Sequence, residues 1–145
     1  MNDTQEKVAV LKRLREMLVR QRGRFQAYLD VLEQEASSIE RGDAESLFLQ
    51  VEMEQTIIAE IFALRKVIAP LESLYQAAYP GTEQTVPRLK AALESMGTEI
   101  SAHNARNRRL LKERMDDLRS EISALRSWPK TAFPATTPRL IDITT

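Results

Sequence analysis

Residues 57–78 read IIAEIFALRKVIAPLESLYQAA. Within them Ile57, Ile61, Leu64, Ile68, Leu71, Tyr75 and Ala78 recur at alternating steps of four and three. That spacing brings every member to one face of an α-helix, the knobs-into-holes pattern of helices packed side by side. A half-buried strand would alternate every second residue instead. Pro70 falls inside the run. It lacks the N–H that would bond one turn back, at a cost of about 3 kcal/mol. The apolar phase continues across it all the same. Each large aliphatic side chain buried contributes roughly 1.5–3 kcal/mol, so the seam outweighs the proline locally. The expectation is one bent, continuous helix from about Ala44 to Tyr79.

Upstream, Arg41-Gly42-Asp43 closes one helix and opens the next. Glycine takes the left-handed conformation that ends a helix. Aspartate accepts hydrogen bonds from the free N–H groups that begin one. So short a connection makes the two helices antiparallel neighbours. The earlier helix spans about Thr4 to Arg41, with Leu11, Leu14, Leu18, Phe25, Leu29, Leu32, Ala36 and Ile39 on its apolar face. Between Leu18 and Phe25 the stripe passes through polar Arg22, beside Gly23, which marks a local weakness.

Downstream, Pro80-Gly81-Thr82 is a turn. Thr85 is the expected cap of a third helix, with Pro87 at an early helical position where proline is tolerated. Val86, Leu89, Leu93, Met96, Ile100, His103 and Asn107 keep the helical spacing. The stripe then skips by one residue to Leu111, Met115, Leu118, Ile122 and Leu125, and the helix runs to about Ser127. The fold expected is all-α: an elongated antiparallel three-helix bundle over residues 1–128, followed by an extended Pro- and Thr-rich tail over 129–145. The tail ends in an apolar cluster containing Leu140, Ile141 and Ile143. Two readings of it stay open, a free terminus and a docking segment.

Composition removes several classes of function. There is no cysteine, so no disulfide, thiolate metal site or cysteine nucleophile. His103 is the single histidine, which excludes a di-iron bundle, a histidine-based zinc site and any recognisable triad. Four scattered glycines form no phosphate-binding loop. The expectation is a non-enzyme with no metal and no cofactor. The longest apolar runs are far short of a membrane span or a signal peptide, so a cytoplasmic protein without direct membrane insertion is expected.

Net charge is zero, yet the charges come in blocks. Residues 25–62 hold nine acids against Arg41 alone, and residues 106–119 hold six bases against three acids. A neutral total argues against a dedicated nucleic-acid binder, and no aromatic residues interleave with the arginines. In an up-down-up bundle the basic block is expected beside residues 24–37 and 48–61, which carry Asp30, Glu33, Glu35, Glu52, Glu54 and Glu60. Such facing blocks fix register more than they stabilise. Asn104 and Asn107 are unusual inside a helix, because asparagine competes with the backbone for hydrogen bonds. One reading is a solvated face; the other is that Asn107 makes a specific polar contact.

The segments Gly42-Asp43-Ala44-Glu45-Ser46-Leu47 and Asn104-Ala105-Arg106-Asn107-Arg108-Arg109-Leu110-Leu111, set between long leucine-striped helices, carry a resemblance. Over residues 5–126 the chain resembles the FlgN-type flagellar export chaperones. The resemblance implies a small, cofactor-free cytosolic chaperone. It would bind the C-terminal helical regions of the hook–filament junction proteins and deliver them to the type III export apparatus of the bacterial flagellum. It also implies a cargo-binding segment at the end of the third helix: Asn107, Leu111, Met115, Leu118, Ile122, Leu125 and Trp128. The skip near Asn107 would leave that end poorly satisfied in a free protein that is a monomer or weak dimer. A different class, a structural coiled-coil adaptor or spacer without an export role, would instead self-associate through the 57–78 seam.

Overall fold

The computed structural model describes residues 2–127, and all of the regular structure in them is helical. Helix α1 spans Asp3–Arg41, α2 Ala44–Ala78 and α3 Thr85–Arg126. Each boundary has a local cause. The Asn2 side chain accepts from the Gln5 N–H at 2.9 Å, capping α1. Gly42 closes α1 at φ 69°. Its N–H donates to the Ile39 carbonyl and that of Asp43 to the Ser38 carbonyl, which together make a Schellman motif. Asp43 then caps α2 through the Ser46 N–H at 3.1 Å.

The cap of α3 differs from the sequence expectation. Thr85 is the first residue inside the helix, and the capping side chain is Glu83. Its carboxylate accepts from the Thr85 N–H at 2.8 Å, the Val86 N–H at 2.9 Å and the Tyr75 hydroxyl at 2.9 Å. Arg15 of α1 joins it at 3.2 Å. One carboxylate thus fastens all three helices at this end. Burial alone would raise the Glu83 carboxyl. The Thr85 hydroxyl, the two N–H groups and the Tyr75 hydroxyl outweigh that and hold it well below the usual carboxylate range.

Helix α1 is the spine. Both α2 and α3 pack along it, and they meet each other only weakly. Partners run in opposite order along α1 and α2, Gln21 with Ile61 and Ser38 with Gln50. Along α1 and α3 they run in the same order, Arg15 with Thr85 and Asn104 with Tyr28. The core has two parts. Leu14, Met17 and Leu18 of α1 pack with Ile68, Tyr75 and Val86. Further along, Val31 packs with Ile57 and Ile61. Between them the polar residue that turns inward is Gln21, not Arg22. Its amide reaches the Ile61 carbonyl at 3.2 Å, so the weak point in the stripe is bridged by a hydrogen bond.

Pro70 leaves α2 continuous. Pro70 and Lys66, whose carbonyl loses its helical donor, are both on the exposed side, where water can satisfy that carbonyl. Gly23 likewise interrupts nothing; a Cβ there would meet open space.

Candidate partner-binding site at the overhanging end of the third helix

Asn104 and Asn107 lie three residues apart on α3 and both turn toward α1. The Asn104 amide donates to the Tyr28 hydroxyl at 3.2 Å. The Asn107 amide donates to the Leu32 carbonyl at 2.8 Å and approaches a Glu35 carboxylate oxygen at 3.5 Å. Its own carbonyl accepts from Arg106 Nε at 3.3 Å. Asparagine in mid-helix is explained: the pair latches α3 to the spine. Outside this latch, Glu33 takes His103 Nδ1 at 2.9 Å and Arg106 at 3.0 Å. These partly exposed pairs set register and contribute little to stability.

Beneath the latch is a strained electrostatic arrangement. Glu35 is 5 % exposed, and its Oε1 has no hydrogen-bond partner. Burial, then the Glu54 carboxylate reaching it from α2, push its carboxyl up to about 7, against the opposing hydrogen bond from Asn107. Burial also raises Glu54, and it raises the Tyr28 hydroxyl against the hydrogen bond from Asn104.

The same contacts correct the expected register. Arg106 stands beside Glu33, and the Arg114 guanidinium lies 2.9 Å from where a Cβ on Gly42 would sit. The basic block therefore lies further along α1 than the 24–37 window, and it meets α1 rather than α2. The anchoring of Glu83 to Arg15 sets this offset, because it starts α3 more than two turns into α1. Past Arg114 the spine has ended. About twelve residues of α3 continue, some 18 Å of helix, beyond the last residue of α1.

Every residue from Leu111 to Ser127 is exposed. Leu111, Met115, Leu118, Ile122 and Leu125 are 38–50 % exposed, an apolar stripe without a partner among the described residues. Asn107, grouped with them in the sequence reading, is 7 % exposed and engaged by α1. It belongs to the latch and not to the free stripe. Trp128 and the tail residues Leu140, Ile141 and Ile143 lie outside the described residues.

Sequence reasoning passed over Phe48, Leu49 and Met53, which are exposed on the first turns of α2, next to the same turn. A signal was present: in Leu47-Phe48-Leu49 three consecutive apolar residues cannot all face one neighbour. No group of metal-ligating side chains occurs among the described residues. No described helix is long and apolar enough to cross a membrane. A concavity of about 550 Å³ between α1 and α2 is an open groove lined by Met17, Leu64 and Val67 together with Arg13, Arg20 and Arg24.

A family model described as "FlgN protein" matches residues 1–136. An uncharacterized protein of Treponema pallidum (strain Nichols) is 34 % identical over 121 residues, covering 83 % of this chain and 78 % of that one. No solved structure matches.

Proposed function

The chain belongs to the FlgN family, and from that we propose that it is a cytoplasmic export chaperone for the hook–filament junction proteins of the bacterial flagellum. In this reading the elongated antiparallel bundle is a handle. The overhanging stripe of Leu111, Met115, Leu118, Ile122 and Leu125, with Trp128 next in sequence, receives an amphipathic cargo helix. Covering that helix hides apolar surface that would otherwise drive self-association before export. The chaperone then presents the cargo to the export apparatus.

The observation that carries the reading is the overhang: five large apolar residues in helical register, exposed, with no partner in the described chain. The spacer reading loses its main support for a related reason. It needs the 57–78 seam for self-association, and Ile57, Ile61, Ile68 and Tyr75 of that seam are buried within the chain itself.

The test is titration of a hook–filament junction protein, by calorimetry, against the full chain and against a chain cut after Arg109. The cut removes no buried residue among those described. It is expected to abolish binding and leave α1 and α2 folded. Equal affinity for the two would refute the assignment.

A further inference from the structure

The free seam has an edge chemistry of its own. Its members follow steps of four, three, four and three, from Leu111 through Met115, Leu118 and Ile122 to Leu125. That is a two-heptad coiled-coil seam with no facing half among the described residues. The residues bordering it fall into two rows. Lys112, Arg119 and Arg126 recur every seventh residue along one edge, and Arg114 and Glu121 stand on the other. The acids Glu113, Asp116 and Asp117 sit away from the seam, toward the back of the helix. Lys112, Arg114 and Arg119 are all exposed. The one ion pair found for Arg119, to Asp116 at 3.7 Å between two exposed side chains, is too weak to withhold it from a partner.

In a coiled coil these bordering positions choose the partner and its direction. An antiparallel second copy would lay the wholly basic edge against itself. A parallel second copy would set Arg114 against Arg119 and Glu121 against Arg126, one repulsive and one attractive contact. Only the antiparallel arrangement brings a whole row of like charges together. We propose that the seam takes an amphipathic helix whose bordering positions are acidic, and that its basic edge selects against an antiparallel second copy of this chain. The inference rests on the cargo-docking reading and adds the charge pattern of the guest. The acids on the back of α3 stay in water when the guest is seated, so the neutral total charge of the chain is no obstacle.

The experiment uses the full chain and two synthetic helical peptides of about three heptads with the same leucine seam, one bordered by Glu and the other by Lys. Each exposed contact is worth a factor of about three, so the Glu-bordered peptide should bind about tenfold tighter at low salt. The gap should narrow as salt rises. The double variant K112E/R119E should weaken the Glu-bordered peptide about tenfold and strengthen the other. Leu118→Asp should remove binding of both with helix content unchanged by circular dichroism. Indifference to border charge, binding that survives Leu118→Asp, no binding of either peptide, or an antiparallel self-dimer dissolved by Leu118→Asp would each overturn the proposal. The junction-protein titration separates the two readings. A junction protein bound equally well by K112E/R119E removes the acidic-border assignment and leaves the export reading standing. A Glu-bordered peptide bound where no junction protein binds does the reverse.

Discussion

Glu35→Gln should stabilise the free protein at pH 8 and leave it nearly unchanged at pH 5. Glu35 faces Asn107 from α3 and Glu54 from α2, and its Oε1 has no hydrogen-bond partner. Its carboxyl is pushed from the ordinary 4.5 up to about 7. At about 1.4 kcal/mol per pH unit, that displacement sets a ceiling of roughly 3 kcal/mol on the cost of keeping the buried group ionised. Water reaching the junction of the helices screens part of it, and about 1–2 kcal/mol is the expected effect. The sign follows from proton linkage. Between pH 4.5 and 7 the folded chain holds a proton that the unfolded chain has released, so stability is lost as pH rises through that window. Glutamine is neutral throughout and keeps an oxygen for the Asn107 amide. Urea unfolding followed by circular dichroism at pH 5 and pH 8 would measure both chains. A variant that loses stability equally at both pH values, or a wild type with no fall between them, would refute the reasoning.

Glu83→Gln should destabilise at pH 7 by about 2 kcal/mol, because a charge-assisted acceptor shared by α1, α2 and α3 is weakened. Since the Glu83 carboxyl is depressed, its contribution is present above pH 4.5 and lost on acidification; the variant should therefore lose less stability than wild type in acid unfolding curves. Asn107→Ala should cost about 1–3 kcal/mol by urea unfolding, since it removes the donor to the Leu32 carbonyl and strands Glu35 further. Gly42→Ala should lower the melting midpoint, because φ 69° costs an L-residue about 1–2 kcal/mol and the new Cβ meets Arg114. Gly23→Ala should raise it, since the site is open and helical, by about 0.5–1 kcal/mol.

The helices and the apolar faces were legible because their signals are local. Spacing at three and four residues names the buried side of α2, and the Gly42-Asp43 pair carries its own turn geometry in its residue types. Pro70 was survivable for a reason also visible in the sequence, the unbroken apolar phase on either side of it. What could not be read locally was register between helices that are far apart in the chain. The Glu83 anchor joins Arg15, Tyr75 and the start of α3, and no periodicity announces a carboxylate with three separate partners. Missing it displaced the basic block along α1. The Asn107 contact was weighed as one of two readings, but its burial was out of reach, because the residue it latches is Leu32, 75 positions earlier.

The exposed stripe itself was expected, but from a cause that does not suffice. A one-residue skip in apolar phase near Asn107 rotates the stripe only modestly, and a helix with a neighbour on that side would still cover most of it. The decisive fact is that the neighbour stops. Helix α1 turns back at Gly42, opposite Arg114, while α3 continues for about three more turns. The offset created by Glu83 at one end of the molecule is what exposes the seam at the other. A longer α3 alone would not have done so had it begun level with α1. Stability and availability are therefore separated in space. The latch of Asn104 and Asn107 ties the third helix to Tyr28, Leu32 and Glu35 of the spine, and from Leu111 onward α3 is helix that the fold of residues 2–127 does not bury. In the proposed function, binding there need not disrupt the core, and a guest would be taken up or released without unfolding the host.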